Sequence, residues 1–356
     1  MDYIEYLNKL LTETVKTEAS DLHITVGLKP HLRVDGELAP IAKEQILDQE
    51  VIEGLINVLL TPKQKEKFLQ EKELDFSYDY KDKGRFRVNV YYQRGHIAVA
   101  FRMIPVKIMT IEEMGMPPVL HNFTKISQGF VLVVGPAGHG KSATLAALID
   151  EINHARKEHI ITIEDPIEYL FTQDKAMISQ REVYIDTNDF HTALRTILRQ
   201  DPDVVMIGEM RDEESITTAM TAAETGHLVF SSLHTNSAAQ TIDRIIDTFP
   251  PEKQTQVVTQ LAATLVGIVS KRLIPKIGGG RIPACEVMLV NSAIRNLIRE
   301  RKTHQLDLVI ETNLTSGMLS LNRSLAQLIK SKKITQENAE LYSPNPEELK
   351  LLINKV

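Results

Sequence analysis

Cysteine and tryptophan are nearly absent from this sequence: its 356 residues include one cysteine, Cys285, and no tryptophan. A single cysteine excludes a disulfide framework and a multi-cysteine zinc site within this chain, and its apolar neighbours predict an inert core thiol. The 11 histidines are dispersed, without the HExxH or other close spacing that binds a metal. The sequence therefore predicts neither a disulfide-stabilised fold nor a protein-only metal centre.

Long apolar runs and excess positive charge are missing too. No stretch approaches the roughly 18 to 20 uninterrupted apolar residues of a membrane span, and residues 1–5 lack the basic region of a signal peptide. We therefore expect a cytoplasmic protein. The net charge of -6 argues against a broad nucleic-acid-binding surface. With 43% hydrophobic and 25% charged residues, the chain has the composition of an ordinary globular protein.

The order of the predicted elements indicates two domains. Residues 1–104 mix helical spacing, as in residues 1–16 and 46–60, with strand alternation, as in residues 22–34 and 74–104, which is typical of a small α+β domain. A proline-interrupted linker is predicted for residues 105–118, with a helix start signal at Thr110. Residues 119–356 follow as an α/β domain, in which the chain from Pro250 onward is predicted to be almost wholly helical.

Four apolar runs in this second domain predict a central sheet. They cover residues 130–134, 159–163, 204–207 and 227–230, and helical stretches separate them. Continuous apolar strands are buried on both faces, so helices are expected on each side of the sheet.

The first run leads into a phosphate-loop motif. The motif consists of Gly135, Pro136, Ala137, Gly138, His139, Gly140, Lys141 and Ser142, and Ala143 follows it. It lies between a predicted strand and a predicted helix, which is the context that this motif requires. The glycines let backbone N–H groups surround the β-phosphate, Lys141 reaches the β- and γ-phosphates, and the Ser142 hydroxyl can ligate Mg²⁺. We therefore expect ATP and Mg²⁺ as ligands.

Carboxylates follow the second and third runs. Ligands bind at the carboxyl ends of strands in open α/β sheets, so Glu164 is expected to orient or deprotonate the attacking water, with a solvated turn as the alternative. The third run ends in Gly208 and Glu209, without the metal-holding aspartate usual after such a strand, so Glu209 is expected to serve Mg²⁺ through bridging water. Asp203, at the other end of that strand, is expected to cap or turn.

Two histidines, His227 and His234, flank the fourth run. Strand alternation over their odd spacing would direct them to opposite faces, so we expect different roles. His234, at the carboxyl end, is the candidate γ-phosphate sensor, and His227 is a further nucleotide-binding candidate. A structural role is the alternative for each.

Arginines form three further groups. Arg85, Arg87 and Asn89 alternate with apolar residues and so share one strand face, which a solvated surface would also explain. Arg195 and Arg199, four residues apart on a predicted helix, are candidates for phosphate or subunit contacts, with ion pairing as the alternative. In the helix predicted for residues 293–300, Arg295 and Arg299 fall opposite an apolar face formed by Ile294, Leu297 and Ile298, as an exposed pair.

The four segments, in this order, resemble the Walker A, Asp box, Walker B and His box of the secretion ATPase superfamily. Further stretches resemble the PilT-type retraction ATPases of type IV pili, and the resemblance covers nearly the whole chain. These stretches are residues 20–23, 32–38, 86–89, 198–203, 223–227 and 293–300. The fold class implied is α/β, with a RecA-like P-loop ATPase domain at residues 119–356 and a smaller N-terminal α+β, PAS-like domain.

The resemblance also implies a function. It implies a homohexameric ring at the cytoplasmic face of the inner membrane, where ATP hydrolysis powers pilus retraction and twitching motility. The implied partners are the inner-membrane platform protein of the pilus machine and other pilus ATPases, with membrane contact only through partners and no nucleic acid. Arg87 and Arg102 are implied as γ-phosphate ligands from the N-terminal domain, and residues 293–300 as a segment that couples hydrolysis to work.

Two positions depart from the family's pattern. His139 replaces a small residue of the phosphate loop, and Ser231-Ser232 stands where Gly-Thr commonly precedes Leu-His-Thr. Within the family, the alternatives are the accessory retraction ATPase PilU and a type II secretion ATPase, whereas the extension ATPases carry a four-cysteine zinc site that one cysteine cannot supply. A nucleic-acid translocase is the alternative from another class, and the net charge of -6 argues against it.

Overall fold

The computed structural model describes residues 1–34, 36–80, 84–104 and 107–355, which form two compact units. The first comprises Met1–Lys107 with Pro166–Leu170, and the second Ile108–Asp165 with Phe171–Val356. The domain boundaries expected from the sequence stay a prediction. Residues 105 and 106 of the predicted linker, and Asp35 of one N-terminal motif, lie outside the described residues.

The first unit is an antiparallel sheet packed with helices. Its elements are α1 (Tyr3–Lys16), β1 (Asp21–Thr25), β2 (His31–Val34), β3 (Glu37–Pro40), α2 (Gln49–Leu59), α3 (Pro62–Glu71), β4 (Glu73–Asp79), β5 (Arg85–Gln93) and β6 (His96–Ile104). The strand order is β3-β2-β1-β6-β5-β4. Leu10 of α1 shares one core with Phe86 and Phe101, whose rings meet edge to face at 6.1 Å. The predicted α+β character is confirmed.

The second unit contains a seven-stranded sheet surrounded by helices. Its elements are β7 (Gly129–Val134), α4 (Lys141–Ala155), β8 (His159–Glu164), β9 (Met177–Glu182), α5 (Phe190–Ile197), β10 (Val204–Ile207), α6 (Glu213–Glu224), β11 (Leu228–Leu233), α7 (Ala238–Asp247), α8 (Pro251–Thr264), β12 (Leu265–Pro275), β13 (Arg281–Leu289), α9 (Ser292–Arg299), α10 (Leu306–Thr312), α11 (Leu321–Lys330), α12 (Gln336–Tyr342) and α13 (Pro346–Lys355). The strand order is β13-β12-β7-β11-β10-β8-β9, parallel except for the antiparallel pair β12 and β13.

Strand β7 shows that this sheet is buried on both faces. Phe130, Leu132 and Val134 belong to one core cluster, and the intervening Val131 and Val133 belong to another. The strands that carry the predicted site, β7, β8, β10 and β11, are all neighbours in the order β7-β11-β10-β8. Their carboxyl ends therefore lie along one edge, as the sequence predicted.

The prediction of an almost wholly helical C-terminal part was wrong, because β12 and β13 extend the sheet at this place. Both strands bury charged residues, Lys271 in β12 and Glu286 in β13. A charge inside a buried strand interrupts the continuous apolar run that marks such strands in a sequence. The helices α9 to α13 follow only after these two strands.

Two smaller expectations concern Cys285 and the segment after Thr110. Cys285 is buried, and burial raises the pKa of its thiol to about 12, which confirms an inert core thiol. Thr110 and Glu113 exchange the hydrogen bonds of a capping box, but the short helix that follows is a 3₁₀ helix at Pro118–Asn122. Across the described ranges, we find no helix with both the length and the apolar character of a membrane span.

Candidate nucleotide-binding and catalytic site

The phosphate loop joins the end of β7 to the start of α4 and depends on its glycines. Gly138 and Gly140 have φ angles of 75° and 76°, in the left-handed region that favours glycine. A Cβ atom at Gly135 would lie 2.4 Å from the carbonyl oxygen of Lys271, so no other residue fits there. No side chain of the described residues caps the N-terminus of α4. The first N–H groups of α4 therefore remain for an anionic ligand.

The Lys141 ammonium lies inside the curl of this loop. It donates to the carbonyl oxygens of Gly135 at 2.9 Å and Pro136 at 3.2 Å, and the residue is 8% exposed. The loop carbonyls thus hold the ammonium, and phosphate oxygens of a nucleotide would compete with them for it.

A hydrogen-bonded chain links this lysine to the end of β10. Nζ of Lys141 lies 3.2 Å from Nδ1 of His234, and Nε2 of His234 lies 3.3 Å from Oε1 of Glu209. The ammonium can only donate, so Nδ1 accepts and Nε2 carries the proton that points at Glu209. Oε2 of Glu209 in turn accepts from Arg211 at 3.0 Å. Glu209, Arg211 and His234 line a cavity of about 490 Å³.

Glu164 ends β8 and is buried, as expected for a residue at this edge of the sheet. Its Oε1 accepts from the Thr162 hydroxyl at 2.7 Å and from Nε2 of Gln180 at 3.2 Å. Two donors on one oxygen fix the orientation of the carboxylate. The alternative of a solvated turn is therefore wrong for its side chain, while its role as a base stays a prediction.

Gly208 explains why the usual aspartate is missing after β10. Its N–H donates to the carbonyl oxygen of Ile163 at 2.9 Å, and a Cβ atom at this position would lie 3.3 Å from that oxygen and 3.8 Å from Cγ of Glu164. A side chain here would press against the end of β8. The third strand therefore contributes Glu209, one residue later.

The two serines that depart from the family's pattern tie β11 to β10. The Ser231 hydroxyl donates to the carbonyl oxygen of Ile207 at 2.7 Å, and the Ser232 hydroxyl to that of Gly208 at 2.6 Å. The two acceptor carbonyls belong to the residues directly before Glu209 in the chain. They fix the backbone from which Glu209 projects.

The donor set also fits the expected Mg²⁺. In the described ranges, no group of three or more histidine, cysteine, aspartate or glutamate side chains could hold a metal by itself. Ser142 and Glu209, both half-buried, offer one hydroxyl and one carboxylate at this edge. Mg²⁺ is commonly bound by one or two protein oxygens together with nucleotide phosphates and water. The residues present therefore fit a metal that arrives with the nucleotide.

The structure does not bring His227 to the phosphate loop. His227 precedes β11, whose first residue pairs with Gly129 at the start of β7, about 17 Å from the loop for a six-residue strand. Its Nδ1 lies 2.9 Å from the carbonyl oxygen of Ala222. Asp203 lies at this same amino edge and accepts from the N–H of His159, which confirms its expected structural role.

Arg195 and Arg199 do not form the pair predicted on one helix. Helix α5 ends at Ile197, so Arg199 lies in the turn beyond it. Arg195 donates to Glu214 at 2.7 Å, the ion pairing that the sequence left as the alternative.

Arg87 and Arg102 belong to the first unit, where they face each other directly across β5 and β6. Like charges in directly opposite positions destabilise a sheet. Asp21 lies 3.0 Å from Arg102, and Asp75 lies 3.9 Å from Arg87. The structure thus places the two predicted arginines together, beside acids that offset their repulsion.

The pair predicted in α9 is not an exposed pair. Arg295 is partly buried and donates to the carbonyl oxygens of Ala262 and Ala263, at 2.5 and 2.8 Å, where α8 ends. Only Arg299 is exposed. Arg295 therefore caps a helix of its own chain, and the expectation that both arginines are exposed was wrong.

Sequence reasoning missed Gln180 and Lys271. Gln180 lies on β9, and Lys271 donates from β12 to the carbonyl oxygen of Gly140 at 3.2 Å and to the Thr144 hydroxyl at 3.1 Å. Both reach the site from strands that carry no motif. Lys271 had one sequence signal, a charge inside an otherwise apolar stretch.

The comparisons with known proteins agree on one family. The family model for type II/IV secretion system proteins matches residues 2–350. The type IV pilus retraction ATPase PilT of Pseudomonas aeruginosa is 45% identical over 96% of this chain and 99% of its own length. The type IV pilus ATPase PilU of the same organism is 37% identical over 97% of this chain and 90% of its own length.

A solved structure supports the same assignment. The crystal structure of the pilus retraction motor PilT with bound ADP has a TM-score of 0.90, with 43% sequence identity, and the match covers 97% of this chain and 98% of that one. The α/β fold with an N-terminal domain and a RecA-like ATPase domain, expected from the resemblance, is confirmed.

Proposed function

This chain belongs to the family of type II/IV secretion system proteins, and we propose that it is an ATPase motor that powers the retraction of type IV pili. Its likeness to PilT over nearly the full length of both chains supports this function. The observation that carries the proposal is the chain of contacts from Lys141 through His234 to Glu209, with Glu164 held rigidly on the neighbouring strand.

Each group in this constellation has a role in phosphoryl transfer. The loop N–H groups and Lys141 bind the β- and γ-phosphates of ATP. Glu164 orients the attacking water and accepts its proton, and His234 contacts the γ-phosphate and relays its presence to Glu209. Ser142, and Glu209 through water, would hold Mg²⁺, which would supply positive charge to offset that of the phosphates.

The motor acts as a homohexameric ring, in which residues of one subunit complete the site of another. Arg87 and Arg102 reach the γ-phosphate from the N-terminal domain, while His227 and Arg199 serve contacts with a neighbouring subunit or its nucleotide. The ring works at the cytoplasmic face of the inner membrane. Its partners are the inner-membrane platform protein and other pilus ATPases, and it contacts the membrane only through them.

The accessory ATPase PilU is the alternative within the family. Identity is 45% to PilT and 37% to PilU over similar shares of this chain, which favours the retraction ATPase itself. A nucleic-acid translocase is disfavoured by the net charge of -6. Stimulation of ATP hydrolysis by single-stranded DNA would support that alternative.

The test of this function is ATP turnover by the purified full-length chain. Lys141→Ala removes the cation that stabilises the transferred phosphoryl group, so the rate falls below about a tenth of the parent's. Lys157→Ala, which changes an exposed lysine after α4, is the matched control and keeps the parent rate. A parent protein without ATPase activity, or an active Lys141→Ala variant, would overturn the proposal.

A further inference from the structure

Strand β12 runs past the end of its neighbour β7 and continues beneath the phosphate loop. The two strands pair in parallel up to Ser270, opposite Val134. Beyond this point β7 has turned into the loop, whereas β12 continues to Pro275. The edge of β12 that would face β7 therefore needs other hydrogen-bonding partners.

His139 supplies one of these partners. Its Nδ1 accepts a hydrogen bond from the backbone N–H of Leu273 at 2.9 Å. The imidazole therefore extends the hydrogen bonding of the sheet one step beyond the end of β7, and it joins the loop to β12.

Two cations from the hairpin that β12 and β13 form bind carbonyl oxygens of the loop. Nζ of Lys271 donates to Gly140, and the Arg281 guanidinium lies 3.4 Å from the carbonyl oxygen of Gly138. In a trans peptide the C=O and the following N–H point in opposite directions. These contacts therefore turn the N–H groups of His139 and Lys141 away from the hairpin, toward the side where a phosphate binds.

We propose that His139 is a positioning residue, whose neutral imidazole fastens the phosphate loop to β12 and holds it in the form that binds nucleotide. This rests on the proposed nucleotide-binding function. Only the neutral ring can accept at Nδ1 while it donates at Nε2. Burial lowers the pKa of His139, and the cations around it lower that pKa further: Arg281 on β13, Arg272 and Lys271 on β12, and Lys141 on α4. The accepting form therefore predominates at neutral pH.

The experiment measures the dissociation constant of ADP for the full-length protein at pH 7.5. His139→Ala removes the acceptor and weakens ADP binding by about three- to tenfold. His139→Asn places an amide oxygen near the position of Nδ1 and restores the affinity to within about twofold of the parent. His304→Ala, at an exposed histidine of the same unit, is the matched control and leaves the affinity unchanged.

The pH dependence separates this role from a merely structural one. Protonation removes the acceptor, and because the pKa of His139 is lowered, the parent keeps its affinity relative to His139→Asn down to pH 6.5 and loses it only as the pH falls further. Equal affinity of the parent and His139→Ala, or a His139→Asn variant as weak as His139→Ala, would overturn the inference. A parent protein whose ADP affinity rises relative to that of His139→Asn at low pH would also overturn the inference, because the protonated ring would then act as a cation toward phosphate. A parent that binds no ADP at all would instead overturn the proposed function.

Discussion

Lys141 and His234 are hydrogen-bonded partners, with Nζ of the lysine 3.2 Å from Nδ1 of the histidine. The phosphate loop and the end of β11 are thereby joined through side chains. Because Nδ1 accepts, the Nε2 proton is directed at Glu209, 3.3 Å away. A phosphate that draws Lys141 toward itself would break the first contact and free His234, so His234 can report occupancy of the site to Glu209.

The first prediction concerns this relay. His234→Ala removes the link, so kcat for ATP hydrolysis falls about 10- to 100-fold while ADP affinity stays within about threefold of the parent. Steady-state kinetics and ADP titration measure the two effects. His154→Ala, on the outer end of α4, serves as the control and keeps both values. An unchanged kcat would mean that the contacts of His234 are structural.

The second prediction concerns the proposed base. Glu164→Gln keeps the shape of the side chain but cannot accept a proton, so ATP binds and turnover falls more than about 100-fold. Gln180→Ala removes one of the donors that orient Glu164, and kcat falls about tenfold. Gln173→Ala, an exposed glutamine before β9, is the control for Gln180. Failure of Glu164→Gln to bind a fluorescent ATP analogue would reassign Glu164 to binding or structure.

The third prediction concerns the arginine pair of the first unit. If the arginines only belong to a solvated strand face, activity survives their loss, whereas a ligand site would lose activity. The double variant Arg87→Ala/Arg102→Ala is expected to lose at least about tenfold in kcat and to keep ADP binding. Arg94→Asn, in the turn between β5 and β6, is the control. Full turnover by the double variant would return the two arginines to the solvated-face interpretation.

Lys141, Glu164, Glu209 and His234 could be predicted from the sequence because each follows an apolar run. Parallel strands bring their carboxyl ends to one edge, so local patterns along the chain become neighbours in space. Gln180 and Lys271 lie on β9 and β12, and their side chains reach the same edge from either side of these four strands. Apart from the charge of Lys271 inside an apolar stretch, nothing in their local pattern indicates that approach, because it depends on which strands become neighbours.

Strands β12 and β13 show why a buried charge hides a strand from a prediction based on hydrophobic pattern. The stretch 265–275 places Lys271 and Arg272 between apolar residues, so neither a continuous apolar run nor strict alternation is visible. Lys271 tolerates burial because its ammonium donates to Gly140 and Thr144, and burial lowers its pKa. The feature that hid the strand is the one that supports the phosphate loop.

The fourth prediction separates the two arginines of α9. Arg295→Ala leaves the carbonyl oxygens at the end of α8 without their donor, so the free energy of unfolding falls by about 1–2 kcal/mol. Arg299→Ala changes an exposed side chain and leaves the free energy of unfolding unchanged. Thermal unfolding of both variants tests this. A retraction defect with normal ATPase activity in Arg299→Ala would support the coupling role, and equal stability of the two variants would contradict the capping role of Arg295.

The last prediction concerns Glu286, a buried carboxyl in β13. Its Oε1 accepts from the N–H of Ala238 at 2.7 Å, at the start of α7, which follows His234 closely in the chain. Burial, with smaller contributions from the acids Asp307 and Glu311, raises its pKa to about 7, although the hydrogen bond from Ala238 and the charge of Arg272 oppose the shift. In the unfolded chain a glutamate titrates at about 4.3.

The sign of the pH effect follows from this difference. The folded protein binds a proton at Glu286 between about pH 4.3 and pH 7 that the unfolded chain has lost, so stability is greatest below that range and falls as the pH rises through 7. Glu286→Gln cannot ionise and keeps an oxygen for Ala238, so it is more stable than the parent at pH 8.5, by an amount on the order of 3 kcal/mol, and nearly equal to it at pH 4. Thermal unfolding of the parent, Glu286→Gln and the exposed control Glu300→Gln between pH 4 and 8.5 measures the difference. If Glu286→Gln loses stability with rising pH as steeply as the parent, the titration belongs to another group, and Asp307, whose pKa burial also raises, is the next to test.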